Sequence, residues 1–229
     1  MSKKLNKINT KVNFDKLIFD NKNLLGKGSF GKVYRAYNGT QKNNRLAAKK
    51  TESSLSLQLF SLFTTGHTQT HMFKKEIEAL EKLSKIGISP KIYYYDIKSK
   101  VYVIEKLDYT LFEMLKNKEF TVSHLRKLTS LFKKYKQSPY KHLDLHEANI
   151  MYSEKKRRFY IIDWGLFTDD TNCILNKKKT KKAKKANCFK LDNQNKEYLD
   201  ILFKYLDNKV KLKPDLWSKE YKLFLKEFN

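Results

Sequence analysis

Apolar side chains recur along this chain in short stretches of period two and longer stretches of period three to four. Residues 23–37 alternate apolar and polar positions on either side of three glycines, which predicts a strand, a turn and a second strand. Leu46, Ala47 and Ala48 lead into Lys49 as a third strand, with Lys50 its outward neighbour. Met72 to Leu83 sets Phe73, Ile77, Leu80 and Leu83 on one helical face. Gly87-Ile88-Ser89-Pro90 breaks that helix, and residues 91–97 and 101–107 follow as strands. One helix starts near Thr110. A second, capped by Thr121, runs to Lys136 with Leu125, Leu128, Leu131 and Phe132 apolar. Residues 150–153 and 158–162 read as two strands joined by Glu154-Lys155-Lys156-Arg157, and residues 197–206 and 216–228 as closing helices.

Composition narrows the class. The 229 residues suit one large domain or two small lobes around a cleft, and 40% hydrophobic residues supply a core despite 32% charge. Cys173 and Cys188 are too few for a disulfide framework, so a reducing, intracellular setting is expected, cytoplasmic or nuclear. No run approaches the roughly 18 apolar residues of a membrane span. No secretory signal is expected from the basic start, and Ser2 argues against N-myristoylation. The net charge of +25 favours negatively charged partners: nucleotide, acidic protein, nucleic acid or an anionic membrane face. Lysine is spread through every segment, however, so much of this is compositional. The densest stretch, residues 176–185, is expected to be a poorly ordered loop that draws acidic acceptor segments. A nuclear address or plain solubility would use the same lysines. The Ser/Thr-rich stretch 52–71 reads as an insertion, with His67 and His71 solvated.

The chemistry gathers in residues 142–165. A hairpin over 150–162 carries Asn149 and Asp163 to the same end. Their oxygens are hard ligands suited to Mg²⁺, which is commonly completed by water and substrate phosphate. Asp144, five residues before Asn149, is placed to orient or deprotonate an attacking hydroxyl. A solvated polar loop is the plain alternative, weakened by three acceptors at this spacing, two of them abutting apolar strands. Gly26, Gly28 and Gly31 spell Gly-x-Gly-x-x-Gly, a string shared with dinucleotide-binding folds, where it opens a helix. Here Val33 and the period-two pattern point to a strand. Glycines let a backbone close on phosphates and donate its amides to them.

Taken in order, these motifs resemble the protein kinase-like superfamily: the glycine-rich loop with Val33, Leu46-Ala47-Ala48-Lys49, His142-x-Asp144, Asn149 and Asp163-Trp164-Gly165. The resemblance implies an α+β, bilobal fold. An antiparallel-sheet N-lobe with one main helix spans 17–107, after a basic lead-in at 1–16. A reduced, mostly helical C-lobe spans 108–229 and includes the basic loop 176–185. It implies ATP and Mg²⁺ in the cleft between residues 24–107 and 108–229. Leu25, Gly26, Lys27, Gly28, Ser29, Phe30 and Gly31 would cover the nucleotide with Val33 and Ala47, and Lys49 would reach its phosphates. Glu76 would pair with Lys49; Glu78 is the alternative, about 100° per residue from that direction. Glu105 to Leu107 would form the adenine hinge, with Ile104 at the back of the pocket. Asp144 would be the base, and Asn149 and Asp163 the metal ligands.

The activity so implied is that of a serine/threonine kinase moving the γ-phosphate of ATP to a protein hydroxyl. The pattern also departs from the family. Leu143 stands where the arginine of His-Arg-Asp belongs and no Ala-Pro-Glu follows, which argues against control by loop phosphorylation. His146 replaces a lysine and is read as a phosphate contact. The short C-terminal part is similar to kinases of large DNA viruses, implying a host-cell or virion setting. Asp-Leu-His-x-x-Asn with Ile-Asp-Trp also resembles aminoglycoside and choline phosphotransferases, which the full glycine loop and the tail oppose. A kinase-fold scaffold without activity is opposed by Lys49, Glu76, Asp144, Asn149 and Asp163 occurring together.

Overall fold

The period-two stretches become antiparallel strands and the longer-period stretches become helices in a computed structural model, which describes residues 2–4, 14–28, 31–37, 42–51, 68–169 and 199–228. Ser29, Phe30, His67, both cysteines, most of the Ser/Thr-rich insertion and the basic run 176–185 lie outside the described residues. Two units divide the chain, Met1–Lys85 with Pro90–Lys106, and Ile86–Ser89 with Leu107–Asn229. The fold is α+β, with an antiparallel sheet in the first unit and a mainly helical second unit.

In the first unit, strands β1 (Ser2–Lys4), β2 (Leu24–Gly28), β3 (Gly31–Tyr37), β4 (Lys42–Thr51), β5 (Ile92–Asp96) and β6 (Val101–Glu105) form one sheet in the order β1-β5-β6-β4-β3-β2. All its pairs are antiparallel. The central strands β4 and β6 are buried on both faces, which is why their apolar runs are nearly continuous. On one face Ala36, Leu46, Ala48, Tyr94 and Val103 pack with Phe14. Two expectations for the lead-in change here: Ser2–Lys4 pairs with β5, and Phe14 belongs to the core. A three-residue ladder and a single aromatic carry no period to announce them. The other face carries Val33, Arg35, Ala47, Lys49, Tyr102 and Ile104, by register. Helix α1 (Gln69–Lys85) buries Phe73, Glu76, Ile77, Ala79, Leu80 and Leu83.

In the second unit, α2 (Leu111–Lys116) and α3 (Val122–Gln137) start at Thr110 and Thr121, each closing a capping box, with Glu113 and His124. Strands β7 (Tyr109–Thr110), β9 (Ile150–Ser153) and β10 (Arg158–Ile161) make a small antiparallel sheet, and β8 (Tyr140–His142) pairs with β11 (Phe167–Asp169). Helices α4 (Asp200–Leu212) and α5 (Pro214–Phe228) close the unit. Helix α4 runs on past its expected end, and α5 starts earlier than expected because Pro214 takes its first position, where the missing N–H costs nothing. Aromatic rings knit the helices together: Phe132 lies 5.5 Å from Phe224 and 5.1 Å from Phe228, edge to face. Among the described residues no helix is long and apolar enough to cross a membrane.

Candidate active site

Strand β4 and helix α1 bring Lys49 and Glu76 together. Register sets Lys49 opposite Val33 and Tyr102 on the sheet face away from the Phe14 core. Glu76 falls on the apolar stripe of α1 and is buried with it, at 4% exposure. Lys49 Nζ donates to Glu76 Oε1 at 2.9 Å. The other candidate, Glu78, is exposed and pairs with Lys82 one turn on. Tyr102, which sequence reasoning passed over as core, donates its hydroxyl to the same Glu76 oxygen at 2.8 Å. Its ring centroid lies 5.7 Å from Lys49 Nζ. Its opposition to Lys49 was the one signal that could have found it.

The glycines divide by cause. A Cβ on Gly31 would meet Lys50 O at 2.5 Å, so the close approach of β3 to β4 demands glycine there. At Gly26 a Cβ would have nothing within 4 Å, and at Gly28 only Gly31 O at 3.9 Å. Neither has positive φ, so among the described residues neither packing nor backbone conformation requires these two to be glycine. Leu25 and Lys27 accompany them on the exposed edge strand β2. At the predicted hinge, the N–H groups of Glu105, Lys106 and Asp108 donate to Lys91 O, Arg45 O and Tyr152 O. The Leu107 N–H donates to no group among the described residues.

His142 is the pivot of the second constellation. It is 1% exposed and stacks edge-on against the fully buried Trp164, 4.9 Å between centroids. Its Nδ1 accepts the Asp144 N–H at 3.1 Å, so Nε2 carries the proton and donates to Ile162 O at 2.9 Å. Burial pushes its pKa below the ordinary 6.5, against the opposing pull of the Ile162 carbonyl and of Asp163 and Asp144. One neutral ring thus ties the Asp144 loop to the residue preceding Asp163. Asn149 closes the frame. Its Nδ2 donates to Asp144 O at 2.9 Å, and its own carbonyl accepts Ile162 N–H at 2.9 Å. With the amide nitrogen turned to a carbonyl, Oδ1 is the side-chain atom left to accept or coordinate. Asp163 sits at φ 58°, a left-handed conformation that aspartate tolerates better than most residues.

Asp144 keeps 46% of its side chain exposed. His146 Nδ1 lies 3.2 Å from Ala148 N, and its Nε2 lies 3.0 Å from Asn149 Nδ2 and 3.7 Å from Asp144 Oδ2. Among the described residues no three His, Cys, Asp or Glu side chains cluster to hold a metal. An Asn oxygen and one carboxylate suit a hard cation that takes its remaining ligands from water and phosphate. The donor set therefore fits Mg²⁺ brought with a nucleotide and does not fit a resident structural metal. Sequence reasoning also passed over Glu147, whose carboxylate accepts a backbone N–H from α4; a backbone partner leaves no trace in sequence.

The family model for the protein kinase domain matches residues 19–184. None of the curated proteins compared with the chain matches it. The matched stretch is more than half of the chain and carries the Lys49–Glu76 pair and the frame around Asp144, Asn149 and Asp163: this chain belongs to the protein kinase domain family.

Proposed function

We propose that the protein is an ATP- and Mg²⁺-dependent serine/threonine protein kinase. The observation that carries this reading is the hydrogen-bond frame in which His142 and Asn149 hold Asp144 and the Asp163 segment in one arrangement. ATP with Mg²⁺ supplies the transferable γ-phosphoryl group and the cation that neutralises its developing charge. Asn149 Oδ1 and the Asp163 carboxylate hold the metal. Lys49, kept in place by Glu76, pairs with the α- and β-phosphates. Gly26 and Gly28, free of any packing reason to be glycine, let the loop backbone approach the phosphates. The Leu107 N–H and the Glu105 carbonyl are the donor and acceptor for the adenine edge. Asp144, with 46% of its side chain exposed, accepts the acceptor-hydroxyl proton as the oxygen attacks phosphorus. His146, where serine/threonine kinases carry lysine, sets its Nε2 3.7 Å from Asp144 Oδ2, beside the carboxylate that meets the acceptor.

Thermal unfolding tests the binding half of this reading. Ligand held a hundredfold above Kd stabilises the folded state by about 2.7 kcal/mol, which raises Tm by several degrees. The rise is expected only with ATP and Mg²⁺ together, and Asp163→Asn should lose its metal-dependent part. An unchanged Tm at millimolar nucleotide contradicts the reading.

A further inference from the structure

Between Asp144 and Asn149 stands a carboxylate that the proposed mechanism does not use. Glu147 is 4% exposed, and among the described residues no cation lies within ion-pair distance of it. A buried carboxylate without a cation is costly unless hydrogen bonds replace its water. Glu147 Oε1 accepts the N–H of Leu202 at 3.0 Å. Leu202 is the third residue of α4, a helix whose own N-cap, Leu199, offers no side-chain acceptor. Asp200 in the same first turn is committed to Lys204 on the exposed side. The fully buried Leu202 N–H would be an orphan without Glu147, and the carboxylate also sits at the positive end of the helix. Glu147 therefore caps α4 from fifty-five residues upstream.

The consequence runs the other way as well. The loop is pinned at its start by His142 and at its end by the Ile162 N–H on Asn149 O. In its middle it is held by the buried Leu145, by packing of the 147–149 turn on α2, and by this tie to a separate helix. Asn149 N bonds back to His146 O and Asn149 Nδ2 to Asp144 O, so a shift at 147 moves both functional side chains. We infer that Glu147 is a positioning residue for phosphoryl transfer, using α4 as a fixed brace for the Asp144–Asn149 loop. This inference rests on the kinase reading above.

The test compares wild type with Glu147→Gln, Glu147→Asp, Glu147→Ala and, as a control, Tyr205→Phe, using γ-labelled ATP, Mg²⁺ and casein as acceptor. Gln keeps an acceptor oxygen at the right reach, whereas Asp keeps the charge but falls one methylene short. A misplacement near 1 Å can cost about a hundredfold in rate. We therefore expect kcat to fall at least about tenfold in the Asp and Ala variants, with KM for ATP little changed, and Gln to recover most of that loss. Tyr205 holds α4 through a 2.9 Å bond to Phe120 O, and among the described residues it makes no hydrogen bond or ring contact with the loop. Its Phe variant should lower Tm and leave kcat in place. If Glu147→Ala does not fold, the contrast between Asp and Gln decides. Equal kcat in the Asp and Gln variants, or a Tyr205→Phe loss of kcat that tracks its Tm, overturns the inference. Should wild type itself transfer no phosphate, the kinase reading fails and the tie is read from hydrogen exchange. A Leu202 amide slow in wild type and Gln but fast in Asp supports the tie, and one equally fast in all three refutes it.

Discussion

At the scale of the residue, His142 shows how one neutral imidazole can hold a reacting loop. Its folded pKa lies below the unfolded 6.5 because burial penalises the charged ring. The unfolded chain therefore takes up the proton first as pH falls. The stability His142 contributes is complete above about pH 6.5 and is lost as pH drops from there toward the folded value. Protonation would also convert Nδ1 from acceptor to donor and break its bond from Asp144 N–H. His124, lowered chiefly by burial and then by Lys127, adds a slope of the same sign. Urea unfolding at pH 7.5 and 5.5 should show wild type weaker at the lower pH, with part of that difference abolished in His142→Asn. An identical pH difference in the variant contradicts the assignment. The Lys49–Glu76 pair was legible in sequence because spacing along known motifs identifies side chains that meet. Tyr102 and Glu147 were not, since a tyrosine in an apolar strand looks like core and a carboxylate bonded to a backbone amide has no partner residue type to seek.

At the scale of the element, α1 owes its orientation on the sheet to more than an apolar stripe. Glu76 lies among Phe73, Ile77 and Leu80 and receives two donors, Lys49 from β4 and Tyr102 from β6. The phenol makes the buried pair a three-membered network, in which each group satisfies another. Tyr102 thus gives Glu76 a second hold beside Lys49. Tyr102→Phe should cost about 0.5–1.5 kcal/mol and slow phosphoryl transfer several-fold. Glu76→Gln should cost more, because it leaves the Lys49 charge buried without its counter-ion. Chemical denaturation with a steady-state assay on each variant checks this, and a Tyr102→Phe protein equal to wild type in both would contradict it. Long periodic elements were legible to within a few residues: the α1 stripe, the Thr121 cap and the 150–161 hairpin are all where the pattern puts them. The two- and three-residue strands β1, β7, β8 and β11 were not, because such ladders are fixed by tertiary neighbours and carry no repeat.

At the scale of the whole chain, the functional residues are divided between the two units. Lys49 and Glu76 belong to the first, and Asp144, Asn149 and Asp163 to the second. The +25 charge suits an anionic nucleotide and an acidic acceptor, although lysines distributed over every segment act first as a solvated surface. The α+β class was legible because strand-like periods dominate the first half and helical ones the last quarter. The N-terminal contribution was not, because the buried partners of Phe14 (Ala36, Leu46, Ala48, Tyr94 and Val103) lie on strands far along the chain. The central claim is that Asp144 acts as base in moving phosphate from ATP to a protein. It is tested most directly by following γ-labelled ATP with Mg²⁺ into acidic and basic acceptor proteins, with an aminoglycoside and choline alongside, for wild type and Asp144→Asn. Wild type should label serine or threonine of a protein acceptor. Asp144→Asn should fall by about two to four orders of magnitude in rate while still binding ATP and Mg²⁺. Near wild-type turnover in Asp144→Asn, or label appearing only on a small-molecule acceptor, would contradict the account.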